Sequence, residues 1–168
     1  ELVKQTVSAS KQELPDNCPR RGNKLEGIKE KDLIGIPWMV AFAFRADGWY
    51  LRQDIIWHIP NPMPESVRDR CTKSHEYIFL LSKNQNYYFD VDAIKEPTRR
   101  KRSVWNVTKK PYKDAHFAVY PPELIKPCIL AGSQENDIIL DPFIGSGTTA
   151  MVAKSLGRCY IGCELHED

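Results

Sequence analysis

The residues best placed to bind a small ligand form a glycine-rich stretch near the end of this 168-residue chain. Gly145, Gly147 and Ala150 match the pattern G-x-G-x-x-G/A, and they follow an apolar run at 138–140. Glycines let the backbone approach a ligand closely, and the first N–H groups of a following helix are free to bind acceptors. Glu164 closes the next apolar segment, where a carboxylate can accept hydrogen bonds from ribose hydroxyls. The pattern predicts a site for a ligand that carries a nucleoside.

The surroundings of the turn bear on which nucleoside it binds. No lysine follows Gly147 directly, which disfavours a phosphate-cradling P-loop. Most of the sheet must precede the turn, whereas a dinucleotide dehydrogenase normally begins with this unit. Asp141 stands at the strand end, where it can meet a cationic or zwitterionic ligand. These features favour S-adenosylmethionine as the cofactor, and NAD, with an oxidoreductase function, is the alternative.

Strands and helices alternate around the turn. Caps, turn residues and apolar patterns predict helices at 32–46 (capped by Asp32), 123–130 and 148–156. Strands are predicted at 49–59, 76–82, 87–90, 137–140 and 159–164. Such alternation is typical of an α/β fold. We expect a Rossmann-like, mostly parallel sheet that is incomplete in this chain.

Composition narrows the class of protein. A hydrophobic content of 42% fits a packed core, and no apolar run is long enough for a membrane span. The five cysteines show no C-x-x-C spacing, which predicts neither a disulfide framework nor a metal site. We therefore expect a reducing, cytoplasmic location. Residues 1–30 are polar and rich in turn formers, so we expect an N-terminal arm before a domain at 31–168.

One segment is strongly basic. Its cations, with no acid among them, are Arg99, Arg100, Lys101, Arg102, Lys109, Lys110 and Lys113. Trp105 and Tyr112 are interleaved with them. Such a segment could neutralise phosphates and stack on bases. The alternative is a solvated basic loop with no ligand.

Residues 140–149 (LDPFIGSGTT) resemble the cofactor motif of the β-group amino DNA methyltransferases, which act on adenine-N6 or cytosine-N4. In that group the catalytic region precedes the cofactor region, a permuted order that fits the late position of this motif. Three further segments are similar to motifs of the group: 54–62, 72–83 and 116–124. Many relatives carry lysine where His58 stands, so the resemblance assigns no role to this position. The resemblance extends from about Lys31 to the end of the chain.

The resemblance implies a set of binding residues. S-adenosylmethionine would be bound by Asp141, Pro142, Phe143, Gly145, Ser146, Gly147, Thr148, Glu164, His116, Phe117 and Ala118. Within this set Asp141 would lie near the methionine amine and Glu164 would hold the ribose. For His116 and Phe117 the alternative is a core pair before a helix. The implied partner is duplex DNA with the target base flipped out, contacted by the basic segment and by loops at 60–74 and 97–114.

The group performs its chemistry with a tetrapeptide, Asp/Asn/Ser-Pro-Pro-aromatic, which is absent from this sequence. Asn61-Pro62-Met63-Pro64 lacks the aromatic residue, and Tyr120-Pro121-Pro122-Glu123 reverses the flanking chemistry. The catalytic residues are therefore unknown. Either the chain is a fragment, which we favour, or the protein lacks the active strand and is a non-catalytic binding module of the same fold. The expected role is site-specific DNA methylation, as in restriction–modification.

Overall fold

The computed structural model describes residues 27–109 and 119–165. Contacts between residues group the chain into two units, 1–36 and 37–168. In chain order the elements are α1 (Ile36–Ala46), β1 (Tyr50–His58), β2 (His75–Ser82), β3 (Val104–Asn106), α2 (Pro122–Gly132), β4 (Ile138–Asp141), α3 (Thr148–Ser155) and β5 (Cys159–Gly162). The predictions for residues 1–26 and for His116, Phe117, Ala118, Lys110 and Lys113 lie outside the described residues.

The strands of the described residues form two sheets. In the first, β1 is central, pairing antiparallel with β2 and parallel with β3. In the second, β4 and β5 pair in parallel. Two of these three pairings are parallel, and one of them, β4 with β5, is joined by the helix α3 in the way that parallel neighbours usually are. The α/β class with a mostly parallel strand arrangement is thus what the described residues adopt.

Helix α2 packs against the strands of both sheets. Its Leu124 lies in a core cluster with Trp57 of β1 and Trp105 of β3, and its Ile129 packs with Val152 of α3. Both buried indoles find acceptors, since Trp57 Nε1 donates to the Val107 carbonyl at 2.7 Å and Trp105 Nε1 to the Arg102 carbonyl at 2.7 Å. Buried indole N–H groups require such partners. Aromatic burial therefore fixes β1, β3 and α2 together.

Helix α1 covers the other face of the first sheet through aromatic contacts. The ring of Trp38 lies edge-on to Tyr77 and Phe79 of β2, with centroid separations of 5.3 and 5.0 Å. Edge-to-face pairs at this spacing are favourable beyond the area they bury. Within residues 27–109 and 119–165, no helix is both long and apolar enough to cross a bilayer.

Two predicted elements differ from those observed, and one observed strand was not predicted. Asp32 does not cap α1, because its backbone and carboxylate are bonded to Lys29 in a tight turn and the helix begins only at Ile36. The segment 87–90 is not a strand, since the Asp90 amide donates to the Ala131 carbonyl of α2 instead of pairing with a neighbouring strand. The strand β3 was not predicted, and it lies inside the segment 97–114 that was expected to be a loop.

Candidate functional site

The glycine-rich turn connects β4 to α3 in a left-handed backbone conformation. Gly145 has φ of 49° and Gly147, at the N-cap of α3, has φ of 82°. L side chains rarely adopt these values, so glycine is the residue that the turn requires. Helix α3 begins a few residues after the carboxyl end of β4, and the N-termini of helices favour negative ligand groups.

The acidic residue that was predicted to face the turn does so. Glu164 lies just beyond β5, and its Oε2 accepts the Gly145 N–H at 2.9 Å. Its Oε1 accepts the amide of Leu165 at 2.8 Å. The geometry therefore places a carboxylate directly beside the glycine turn.

Close packing between the turn and β5 holds this arrangement in place. The Ile144 amide donates to the Cys163 carbonyl at 3.0 Å, and the Cys163 amide donates to the Asp141 carbonyl at 3.0 Å. A Cβ built on Gly162 would lie 2.2 Å from Ile144 Cδ1. Gly162 is consequently a packing glycine, in contrast to the conformational glycines of the turn.

Asp141 is the centre of a hydrogen-bond cluster. Its Oδ1 accepts the Phe143 amide at 3.0 Å, while its Oδ2 accepts the hydroxyls of Thr149 at 2.5 Å and Tyr120 at 3.1 Å. The two hydroxyls also contact each other. Burial raises the pKa of Tyr120, opposed by its bond to Thr149 and assisted by the negative charge of Asp141. The cluster joins the end of β4 to α3 and to the residues just before α2.

The predicted cofactor residues are unequal in what they expose. Phe143 is 84% exposed, whereas Thr148 is buried at 8%. Ser146 and Gly147 are intermediate. Tyr120 was not among the predicted site residues, although it lies within the 116–124 segment that resembles a motif of the group. The role of each residue in cofactor binding stays a prediction.

A cavity of about 510 Å³ opens beside Asp141. Its lining is mainly apolar and comes from β1, β2, α2, β4 and α3, and its polar groups include Glu76, Tyr120 and Thr149. Cavities that combine apolar walls with a few convergent polar groups are the usual form of small-molecule sites. The glycine turn itself does not line this cavity, so the two features meet only at the Asp141 cluster.

The basic segment is divided by β3. Arg99, Arg100, Lys101 and Arg102 precede the strand, and Lys109 follows it. The guanidinium of Arg99 forms an ion pair with Glu96, and this hydrogen bond is the main cause of the lowered pKa of Glu96. Part of the predicted polyanion surface therefore has an intramolecular partner.

Two further cations of the segment also have internal contacts. Lys109 Nζ lies 2.8 Å from Glu76 Oε1, and the ammonium of Lys101 lies 4.8 Å from the centroid of the Trp105 ring. Among the described residues, the side chains of Arg100 and Arg102 have no hydrogen-bond or ion-pair partner. Residues 104–106 form a strand, so this part of the segment is not a loop. Binding of DNA by the basic residues stays a prediction.

Comparisons with known proteins define the family. The family model described as "DNA methylase", for N6 and N4 methylation, matches residues 9–168. The chain therefore belongs to the N6/N4 DNA methylase family. It is 54% identical over 148 residues to the Type II methyltransferase M.Cfr9I of Citrobacter freundii, covering 85% of this chain and 49% of that protein. It is 55% identical over 150 residues to the Type II methyltransferase M.SmaI of Serratia marcescens, covering 85% and 51%. The chain thus spans about half the length of these relatives.

Solved structures agree with this assignment. The M1.HpyAVI–SAM complex is similar with a TM-score of 0.65 at 27% identity, covering 81% of this chain and 66% of that one. The PvuII DNA methyltransferase, described as cytosine-N4-specific, gives a TM-score of 0.70 at 18% identity, covering 86% and 56%, and is evidence for the fold alone. The predicted Rossmann-like methyltransferase fold is confirmed.

Proposed function

We propose that the protein to which this chain belongs transfers a methyl group from S-adenosylmethionine to the exocyclic amino group of adenine or cytosine in duplex DNA. The observation that carries the proposal is the hydrogen bond between Gly145 and Glu164, in a chain that belongs to the DNA methylase family. The relatives are named Type II methyltransferases, which supports a role in restriction–modification.

The residues of the turn fit the cofactor chemically. We assign the ribose to Glu164, whose carboxylate is held beside the glycine turn by its bonds to the amides of Gly145 and Leu165. The exposed ring of Phe143 offers an apolar surface, and the backbone amides after Gly147 offer donors. Pro142, Ser146 and Thr148 complete this side of the site, and His116, Phe117 and Ala118 would close the other.

Asp141 has a second task besides the predicted contact with the methionine amine. Three donors already occupy its carboxylate, and they orient it toward α3 and Tyr120. A negative charge held in this way attracts an ammonium group through space without requiring a direct hydrogen bond. We propose that Asp141 both fixes the turn and stabilises the positive end of the cofactor.

When bound, S-adenosylmethionine supplies a methyl group on a positively charged sulfur. The amino group of the target base must be oriented and its lone pair localised before it can attack, which needs hydrogen-bond acceptors placed against it. The base must also leave the duplex to reach a closed site. The tetrapeptide Asp/Asn/Ser-Pro-Pro-aromatic, to which the resemblance assigns this task, is absent from the 168 residues, which span about half the length of the relatives they match.

Calorimetric titration with S-adenosylmethionine, S-adenosylhomocysteine and NAD tests the cofactor. We expect both sulfur-containing ligands to bind and NAD to show no heat. Glu164→Gln keeps the size of the side chain but removes its charge and one acceptor, and it should weaken binding roughly tenfold, as for a lost charged hydrogen bond. Glu135→Gln, at an exposed glutamate near Gly157, is the matched control.

Two results would contradict the proposal. A folded sample that binds NAD and neither sulfur-containing ligand would place the chain among oxidoreductases. A full-length protein that binds S-adenosylmethionine but incorporates no labelled methyl group into DNA would be a non-catalytic binding module instead.

A further inference from the structure

Residues 59–74 form a long loop between β1 and β2 that is held at its base. The Ile59 amide donates to the Ser74 carbonyl at 2.7 Å, which closes the loop where the strands end. Within the loop, Arg70 Nη1 donates to Glu65 Oε2 at 2.6 Å and to the Cys71 carbonyl at 3.2 Å. The loop is therefore closed at its base and stabilised internally by the pair between Arg70 and Glu65.

A side-chain amide clasps this loop to the segment after β3. Asn61 Nδ2 donates to the Lys109 carbonyl at 3.0 Å, and Asn61 Oδ1 accepts the Lys109 amide at 3.1 Å. Both ends of one side chain thus bind both backbone groups of one residue, 48 positions away in sequence. Next to the clasp, His58 Nδ1 and Asn106 Oδ1 lie 2.7 Å apart. These bonds join two of the segments expected to contact DNA into one surface.

The charges on this surface fall into two groups. Arg70 is bonded to Glu65, and Lys109 to Glu76 with its ammonium 5.1 Å from the centroid of the Trp57 ring. Arg68 and Lys73, in contrast, are exposed and have no side-chain partner among the described residues. The acidic residues of the loop have partners, whereas in the described part of the chain Arg68 and Lys73 do not. These two cations can therefore bind a polyanion.

The surface adjoins the cavity beside Asp141. Trp57 and Glu76, which hold the Lys109 side chain, line that cavity together with Asp141. The strand residues that flank the loop thus line the same cavity as Asp141, at the carboxyl end of β4, and ligands of α/β folds bind at the carboxyl ends of strands.

We propose that Asn61 is a positioning residue, which clasps the β1–β2 loop to the β3 segment so that Arg68 and Lys73 contact DNA phosphates. This inference rests on the proposed function, because DNA is the polyanion that a DNA methylase must bind. It adds which cations touch the backbone of the nucleic acid and which side chain sets their position.

The test measures binding of the full chain to a short fluorescein-labelled duplex by anisotropy over a range of salt concentrations. Each phosphate contact contributes close to one unit to the slope of log affinity against log salt, so Arg68→Gln and Lys73→Gln should each reduce that slope by about one. Asn61→Ala should raise the dissociation constant roughly three- to tenfold, as expected for the loss of two neutral hydrogen bonds. Asn86→Ala, at an exposed asparagine whose side chain has no partner among the described residues, is the control and should leave binding unchanged.

A double-variant comparison separates positioning from mere stability. If Asn61 positions Arg68, then Arg68→Gln should reduce the salt slope of duplex binding less in an Asn61→Ala background than in the wild type. The affinity for S-adenosylmethionine should be the same in both backgrounds. Unchanged slopes in Arg68→Gln and Lys73→Gln overturn the inference even if Asn61→Ala proves unstable. If the effects of Asn61→Ala and Arg68→Gln on duplex binding are additive, the positioning role of Asn61 is overturned.

The cofactor titration distinguishes the levels of failure. A wild-type chain that binds S-adenosylmethionine but not the duplex contradicts the DNA surface and leaves the proposed cofactor site standing. A chain that binds the duplex but no cofactor contradicts the proposed function alone.

Discussion

The glycine-turn region (residues 138–164) and the three-stranded sheet with its loops are built in different ways. In the first region, local backbone conformation determines the structure: Gly145 and Gly147 have positive φ, and Glu164 is bonded to the backbone of the turn. In the second, contacts between distant residues decide, such as the clasp between Asn61 and Lys109. The comparison teaches that a glycine turn with an acidic residue facing it can be predicted from local sequence, whereas a surface that is assembled from separate segments cannot.

Gly162 provides the largest expected effect in the glycine-turn region. A methyl group there would meet Ile144 within 2.2 Å, so Gly162→Ala should lower the free energy of unfolding by about 2–3 kcal/mol, as overpacking does. Gly132→Ala is the matched control, because a Cβ at Gly132 has no atom within 4 Å and its φ is not positive. It should be neutral or stabilise the protein by up to about 1 kcal/mol. If urea denaturation shows that Gly162→Ala and Gly132→Ala lose the same free energy of unfolding, the close packing of the turn on β5 is contradicted.

Tyr120→Phe removes the hydroxyl that reaches Asp141 and Thr149. Because the acceptor is charged and the site is half-buried, we expect a loss of about 1–2 kcal/mol in unfolding free energy. Tyr87→Phe, which removes a hydroxyl that accepts a bond from Arg52, is the exposed counterpart and should cost less. If the two variants lose the same stability, the Asp141 cluster is not a special feature of the cofactor region.

The raised pKa of Tyr120 makes a prediction about alkaline pH. A group whose pKa is higher in the folded state contributes stability that is fully present below its unfolded pKa, near 10.0, and is lost as pH rises through the folded value. The wild type should therefore lose more stability than Tyr120→Phe above pH 10. Parallel unfolding curves for the two proteins in that range would contradict the burial of this hydroxyl.

The sequence predicted the glycine-turn region well, because its signals are adjacent in the chain. An apolar strand, two glycines, a helix and a spaced acid predicted β4, α3, β5 and the position of Glu164. The Tyr120 cluster was missed because it joins residues that are far apart in sequence. A tyrosine before two prolines carries no local signal of a carboxylate partner.

The three-stranded sheet was predicted less completely. β1 and β2 were found from their β-branched and aromatic residues, but β3 has only three residues and lies in a basic segment. Its existence depends on parallel pairing with β1 and on burial of Trp105, neither of which a local pattern records. The prediction that Asp32 caps α1 failed for the opposite reason. The local signal was present, but the carboxylate of Asp32 accepts the Lys29 amide in a turn instead.

A smaller effect is expected at the ion pair of the sheet region. Glu76→Gln removes the charge that faces Lys109, and both side chains are about half exposed, so the loss should be about 0.2–1 kcal/mol and should vanish at high salt. Thermal unfolding at low and high salt measures it. A loss above that of Tyr120→Phe would reverse the contrast between the two regions.

The smallest expected effect concerns the exposed pair before β3. The hydrogen bond from Arg99 lowers the pKa of Glu96, so this carboxyl should titrate below an ordinary glutamate in a carboxyl-detected NMR titration. Arg99→Gln should return the pKa toward its usual value with no measurable change in thermal stability. An unchanged pKa in the variant would exclude Arg99 as the cause.

The central claim is that the glycine turn and Glu164 form the cofactor site, and amide NMR of the labelled chain tests it most directly. On addition of S-adenosylmethionine, the account predicts that the largest shifts occur at the amides of Gly145, Gly147 and Leu165, with little change in β1 and β3. Shifts confined to the three-stranded sheet, or none at saturating ligand, would contradict it.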